Sequence, residues 1–392
     1  MAERRLLLLV PGNKMFGQEG ALLALGRTLR EAGHRVEYLI HAGWGGDVVG
    51  AKLEHEAFTV HPLPLGTIWS PSLLARRPAS LLGNLAGVWR TSRTLTALLA
   101  RAPCDAIVVG NIPFGAYLLP TLRRAPVALL WRYGDEPLIS SALNRMMSRA
   151  VLARADGHVA NCDFLARKAA PFAGGPVRVI RNFPVGMETV AAERLGDGPP
   201  RRIVYAGQIS AHKGVPLLLD AFDCIAGAAP ELTLTLAGAV SGVGVHESRA
   251  ILMRIETARA RWGARITYLG HVGDVGALFG EGAVHACPSV WDDPSPNVIV
   301  EAKARAVPTV AFARGGIPEL ICDGVDGVLV RTETAEALAE GLLRLTGDQA
   351  FYAAARRAAR KSLDTTFNYD RYRDDWLDAV EAAIETARRR RG

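Results

Sequence analysis

The residues with the clearest chemical potential lie in the stretch Pro288-Ser-Val-Trp-Asp-Asp-Pro-Ser-Pro-Asn-Val-Ile-Val-Glu301, where Asp293 and Glu301 bracket the expected start of a helix. Ser295 reads as the N-cap and Pro296 as the first helical residue, because proline lacks only an N–H that would have no partner there. The amides of Asn297 and Val298 then face out of the helix end, where the dipole favours an anion. Side chains in a helix lean toward its N-terminus, which brings Glu301 back to the same spot. A phosphate with sugar hydroxyls on either side would satisfy all of these groups. Taken alone, the same residues also describe an ordinary capped surface helix.

A second group is Gly207-Gln-Ile-Ser-Ala-His-Lys213-Gly214, which follows the apolar run Ile203–Ala206 and precedes a helix starting near Val215-Pro216. Gly207 permits a close backbone turn, and Lys213 offers a point charge to a phosphate. It is not a P-loop, since the Gly-x-x-x-x-Gly-Lys-Ser/Thr spacing is absent, and a lone lysine beside glycine is more often a surface residue. Its companions give it weight. Gly238 follows Leu232–Ala237, Gly270-His271-Val272 follows Ile266–Leu269, and Gly315-Gly-Ile-Pro-Glu319 follows Thr309–Phe312, with Pro318 placed to open another helix. Glycine at four strand ends points to one shared pocket, because ligands of open α/β sheets collect at the carboxyl ends of the strands.

The elements that must hold these groups are short β-rich runs alternating with longer amphipathic segments, the pattern of βα units on a parallel sheet. In the first half the strands read as Arg5–Val10, Val36–Ile40, Ala106–Val109, Val127–Trp131 and Gly157–Ala160. In the second they read as Ile203–Ala206, Thr233–Ala237, Ile266–Leu269, His285–Pro288, Thr309–Phe312 and Gly327–Val330. The pattern pauses from Arg181-Asn-Phe-Pro184 to Pro200, an expected linker. The fold class is therefore α/β, with two doubly wound Rossmann-like domains, residues 1–184 and 185–369, facing each other across a cleft. A last helix runs over Tyr369–Arg390, with apolar residues at Tyr372, Trp376, Ala379, Val380 and Ile384.

Composition restricts the setting. A chain of 392 residues with 49% hydrophobic and 22% charged residues is that of a globular protein with substantial cores. No apolar run approaches the roughly twenty residues of a membrane helix, and the first strand is too short for a signal peptide, so a cytoplasmic protein is expected. Its five cysteines are scattered, with no Cys-x-x-Cys pair, which suggests reduced thiols and no zinc site. No Asp-x-Asp or histidine-rich cluster argues for a divalent metal. Net charge is +7, part of it in Arg388–Arg391, and a basic tail together with the apolar, basic segment Trp69–Arg93 would suit peripheral contact at the inner face of a membrane. No aromatic-interleaved basic stripe supports nucleic acid as a partner.

The order Gly207…Lys213-Gly214, Leu269-Gly270, Pro288-Ser289, Asp293-x7-Glu301 and Gly315-Gly-Ile-Pro-Glu-Leu320 resembles the retaining glycosyltransferases of family 4, which have the GT-B fold, and the likeness covers nearly the whole chain. It implies an enzyme that moves a sugar from a nucleoside-diphosphate sugar, its co-substrate, to an acceptor hydroxyl, with retention and without a metal or other cofactor. By this resemblance the catalytic residues are Asp293, toward the donor sugar, Glu301, toward the ribose, and Lys213, on the diphosphate. Gly207, Gln208, Gly238, Pro296, Asn297 and Val298 complete the donor site, with the backbone near His271 and Val272 against the base. Residues 1–184 would bind the acceptor and 185–369 the donor, the helix 370–392 crossing back onto the first domain. Gly17-Gln-Glu-Gly20, after the first strand and before a helix Ala21–Ala32, would be the acceptor and phosphate loop, using Gly17, Gln18 and Glu19. Arg132 and Asp135 would join it from Trp131-Arg-Tyr-Gly-Asp-Glu-Pro137.

Three departures stand out. Gln208 occupies the place of an arginine that usually follows the loop glycine, and Asp293 replaces the first glutamate of the family's acidic pair. The histidine that many members carry after the fourth N-terminal strand is also absent. The acceptor implied is saccharide-containing, either a cell-envelope glycolipid or polysaccharide or a glycosylated natural product. A nucleotide-sugar binding protein without turnover, an epimerase and a phosphorylase share the same pocket and stay open at this point.

Overall fold

The computed structural model describes residues 2–13, 17–43, 48–66, 79–184, 198–240 and 244–391. Most of the expected linker, 185–197, and the first part of the Trp69–Arg93 segment lie outside the described residues. The chain divides into two units, residues 1–181 with 370–392, and residues 182–369.

The first unit is built on seven parallel strands in the order β3-β2-β1-β4-β5-β6-β7, namely β1 Arg5–Leu9, β2 Arg35–His41, β3 Thr59–Leu63, β4 Ala106–Val109, β5 Ala128–Tyr133, β6 Gly157–Ala160 and β7 Val177–Val179. Strands β1, β4 and β5 are wholly buried, as expected for near-continuous Leu, Ile and Val runs covered on both faces. Two strands were not foreseen. Thr59-Val-His-Pro-Leu63 contains a proline, tolerable because β3 is an edge, and β7 has only three residues on the opposite edge. With β3 included, the strand that ends at Tyr133 is the fifth and not the fourth.

The helix after β1 spans Gly17–Glu31, so Gly17, Gln18 and Glu19 form its first turn and not a loop. Glu19 in that turn favours the positive end of the dipole. The helix ends as expected, with Gly33 at φ +87° and its amide bonded to the Arg30 carbonyl. The helix Tyr369–Arg389 belongs to the first unit, where Glu381 pairs with Arg4 at 2.8 Å and Arg390 with Asp156 at 2.9 Å.

The second unit carries six parallel strands in the order β10-β9-β8-β11-β12-β13, namely β8 Arg202–Ala206, β9 Thr233–Ala237, β10 Ile266–Gly270, β11 Ala283–Cys287, β12 Thr309–Phe312 and β13 Gly327–Val330. The centre of the sheet, β8 beside β11, is where strand order reverses, the switch point at which such sheets leave a crevice. Val215–Ala226 packs Leu218, Phe222 and Ile225 onto one side of the sheet in a core shared with Ala335–Thr346. Asn297–Ala304 packs Ile299, Val300 and Ala304 on a separate cluster with Ile317, Leu320 and Phe367.

Candidate functional site

The switch point of the second unit gathers the groups singled out in the sequence. Gly214 has φ +74°, and a Cβ there would stand 1.7 Å from the Pro288 carbonyl oxygen, so only glycine lets the Lys213 loop lie against the end of β11. Gly238 is equally constrained, since a Cβ on it would reach the Gly207 carbonyl oxygen at 1.7 Å. The Gly207 amide donates to the Ala237 carbonyl at 2.9 Å, and the Gly238 amide to the Gly270 carbonyl at 2.6 Å, which aligns the ends of β8, β9 and β10 in one row.

Lys213 and Asp293, 80 positions apart, form an ion pair through Nζ and Oδ2. The sequence reading gave them separate duties, and their direct pairing is a product of the fold. Asp293 is buried, while Lys213 is partly exposed, so a desolvated carboxylate is held beside a cation that solvent can still reach. The Asp293 carbonyl accepts from the Gly316 amide at 2.9 Å, and a Cβ on Gly315 would meet that carbonyl at 2.5 Å. The glycine pair at 315 and 316 thus serves to clasp the Asp293 backbone.

Two details of the helix end differ from expectation. The helix is Asn297–Ala304, and Pro296, at φ −65° and ψ 110°, is its cap and not its first residue. Ser295 sits one position too early to cap it, and its buried hydroxyl has no hydrogen-bond partner among the described residues. The Asn297 side-chain oxygen accepts from Asn182 Nδ2 at 2.7 Å, while the Val298 amide has no acceptor among the described residues. The second expected helix start, at Pro318, is a single 3-10 turn over Ile317–Glu319 that follows Gly316, with Pro318 in its middle. One turn has too few aligned peptides to present a helix dipole.

Glu301 is half-buried and has no hydrogen-bond or ion-pair partner among the described residues. Burial, with a smaller push from the charge of Asp274 after β10, raises its carboxyl from 4.5 to about 7. It is therefore a poised group at the same strand ends. His271 is exposed and Val272 half-buried just beyond Gly270, which has φ +67°. The main-chain carbonyl of Gln208 accepts from Tyr205 Oη at 2.5 Å. Among the described residues no three His, Cys, Asp or Glu side chains converge as a metal site would require.

In the first unit, Gln18 Nε2 donates to the Gly110 carbonyl at 3.5 Å, and Glu19 is buried under Gly12, where a Cβ would meet its carboxylate at 2.2 Å. Arg132, near the end of β5, is buried, which lowers its pKa, with Tyr372, Asp135 and Glu19 opposing that shift electrostatically. Asp135 is exposed. The fold thus brings Gln18, Glu19 and Arg132 together at the strand ends of this unit. Spacing alone could not reveal that grouping, because β1 and β5 are joined only through β4.

Two parallel-sheet units of this topology, the second carrying a lysine, an acidic pair and a helix end at its switch point, define a class of protein, the GT-B glycosyltransferases. Known proteins agree. Residues 16–186 match the family described as glycosyl transferase 4-like domain, and residues 200–348 match glycosyl transferases group 1. The chain belongs to the glycosyltransferases of GT-B fold. D-inositol 3-phosphate glycosyltransferase of Mycobacterium tuberculosis is 28% identical over 296 residues, 71% of this chain and 58% of that protein. Spore coat protein SA of Bacillus subtilis is 25% identical over 190 residues, 48% of this chain and 50% of that protein. The chain thus spans between half and three-fifths of the length of these curated relatives. Among solved structures, Anabaena Alr3699/HepE in complex with UDP and glucose matches with a TM-score of 0.75 at 19% identity, over 97% of this chain and 100% of that one. Sucrose-phosphate synthase from Thermosynechococcus elongatus matches with a TM-score of 0.76 at 20% identity, over 96% and 98%.

Proposed function

We propose that this protein is a retaining glycosyltransferase of family 4, transferring a sugar from a nucleoside-diphosphate sugar to a hydroxyl of a saccharide-containing acceptor. The observation that carries the reading is the Lys213–Asp293 pair beside the Asn297–Ala304 helix end at the switch point of the second unit, with the buried carboxyl of Glu301 on that helix having no partner among the described residues. Transfer requires stabilisation of the departing nucleoside diphosphate, and charge placed in advance where the leaving group develops is the strongest means available. Lys213 and the Val298 amide supply it, with no metal or other cofactor called for. Asp293 holds Lys213 until a donor arrives and then shares it with the diphosphate, turning its free oxygen to the sugar hydroxyls. Glu301 takes the ribose hydroxyls, and the backbone at Gly207, Gly238, His271 and Val272 lines the nucleotide. A donor phosphate oxygen assists deprotonation of the acceptor, on the face from which the diphosphate leaves, which retains configuration.

The first unit, with Gly17, Gln18, Glu19, Arg132 and Asp135, is assigned to the acceptor. UDP is the first nucleotide to test, because a solved structural neighbour holds UDP-glucose. A thermal-shift screen over UDP, GDP, TDP and ADP should single out one base, since a ligand that binds only the folded state raises its melting temperature. Donor turnover, followed by product anomer analysis, should disappear in Glu301→Ala and Lys213→Ala. Failure of every nucleoside diphosphate to bind at millimolar ligand overturns the reading, and an inverted product overturns retention.

A further inference from the structure

The end of the helix Asn297–Ala304 holds two groups that could satisfy each other and do not. Ser295 Oγ is buried without a hydrogen-bond partner, and the Val298 amide has no acceptor among the described residues. With Ser295 as N-cap, Val298 would be the third helical residue, whose amide an N-cap hydroxyl accepts from. Pro296 would be the first, the place proline prefers. A residue before proline is confined to the extended region, which is also the N-cap conformation. The local sequence therefore favours a capped end, and the fold holds an uncapped one.

One torsion separates the two. Pro296 has φ −65°, already helical, but ψ 110°. Turning ψ to the helical value of about −42° would lengthen the helix by one residue. The Ile299 amide would pass from the Pro296 carbonyl, now at 3.1 Å, to that of Ser295. Ser295 Oγ would then accept from the Val298 amide and close it to a phosphate.

The peptide between Pro296 and Asn297 must rotate for this, and both of its flanks are held. Upstream, the Asp293 carbonyl accepts from the Gly316 amide at 2.9 Å. Downstream, Asn182 Nδ2 donates to Asn297 Oδ1 at 2.7 Å. Asn182 is anchored through its neighbour Phe183, which packs on the cluster containing Ile299 and Val300, its ring centroid 5.4 Å from that of Tyr369. All of these residues belong to the second unit.

We propose that Asn182 is a positioning residue for the donor site, keeping the helix end uncapped through Asn297 so that the Val298 amide stays open to the diphosphate. Ser295 is the internal competitor that closes the site when this bond is lost. The role rests on the donor site proposed for this helix end, whereas the cap is a property of the chain without ligand. A buried hydroxyl with no partner is a cost to the fold, of the kind that persists where a site is held ready.

The first measurement needs no ligand. Hydrogen exchange over residues 294–300 of the full chain should slow in Asn182→Ala by about fivefold, the worth of a serine cap. It should return to the parent rate when Ser295→Ala is added. The second is calorimetric titration with UDP and with inorganic pyrophosphate. Asn182→Ala should weaken both by about fivefold as the competent fraction falls, and the double variant should regain the parent's affinity. Ser295→Ala alone should bind at least as tightly as the parent. Rescue by deleting a second group is not the behaviour of a mutation that merely loosens the fold, and melting curves confirm that each variant is folded. Failure of Ser295→Ala to restore exchange and affinity overturns the proposal. So does weaker binding in Ser295→Ala alone, which would make that hydroxyl a ligand of the phosphate. Unchanged exchange in Asn182→Ala overturns the cap whatever the titrations show. A parent that binds no nucleoside diphosphate overturns the glycosyl-transfer reading, whatever the exchange shows.

Discussion

Glu301 offers the most direct check on the site, because its environment ties stability and ligand binding to the same proton. Its carboxyl titrates near 4.5 in an unfolded chain and at about 7 in the folded one, chiefly through burial. Between those values the folded chain holds a proton that the unfolded chain has released. The resulting stability is full below about 4.5 and is lost as pH rises through about 7. A shift of this size, at about 1.4 kcal/mol per unit, sets a ceiling of about 3 kcal/mol. Glu301→Gln keeps the shape and cannot ionise, so its stability relative to the parent should improve by up to ~3 kcal/mol between about pH 5 and pH 9. For a unit of this size that is roughly 6–12 °C in the relative melting temperature. Nucleotide binding should follow the opposite course in the parent, because an ionised carboxylate accepts from both ribose hydroxyls while the acid must give up one acceptor position. Affinity for UDP should fall toward ~10-fold for each pH unit below about 7, and that slope should vanish in Glu301→Gln. Chemical denaturation and calorimetric titration across the range measure both quantities. Parallel stability curves for parent and variant would refute the claim that burial perturbs this carboxyl.

Three further outcomes are expected. Lys213→Ala leaves Asp293 buried without its cation and should cost about 2 kcal/mol by urea denaturation, with a double-mutant cycle against Asp293→Ala showing a favourable coupling. Additive single effects would deny the pair. Gly214→Ala forces a Cβ into the Pro288 carbonyl at a left-handed backbone position and should cost about 3 kcal/mol or more, with nucleotide binding lost even at permissive temperature. A stable, binding-competent variant would contradict the close packing of the two loops. Glu37, buried among Arg5, Arg35 and His61, has its carboxyl lowered to about 2, the hydrogen bonds from Arg5 and His61 overcoming its burial. The stability it contributes is present above about 4.5 and is lost as pH falls toward about 2, with a ceiling of about 3 kcal/mol. Glu37→Gln should therefore flatten the acid limb of the unfolding curve, and an unchanged limb would remove that role.

Much of the fold was legible because its signals are local. Fully buried parallel strands such as Leu6–Leu9 and Ala106–Val109 must be runs of apolar residues, and in the second unit Gly207, Gly238 and Gly270 mark the ends of β8, β9 and β10. The missed strands β3 and β7 are edges, buried too little to impose a pattern, and one holds Pro62. Helix starts proved less certain. The first helix begins four residues earlier than expected, and the cap moved from Ser295 to Pro296, because such boundaries turn on differences of about 1 kcal/mol that packing overrides.

What the sequence determined by itself is the α/β class, the order of strands and loops in the second half, and which side chains could hold a sugar nucleotide. The class and the order follow from residue type and short-range spacing, and the sugar-nucleotide residues from the resemblance to a known family. Only the tertiary structure decided that Lys213 meets Asp293 and that Glu301, with no partner among the described residues, is buried enough to titrate at about 7. Those facts depend on distances between residues far apart in the chain and on how much water each group loses, and neither quantity is written in the order of residues.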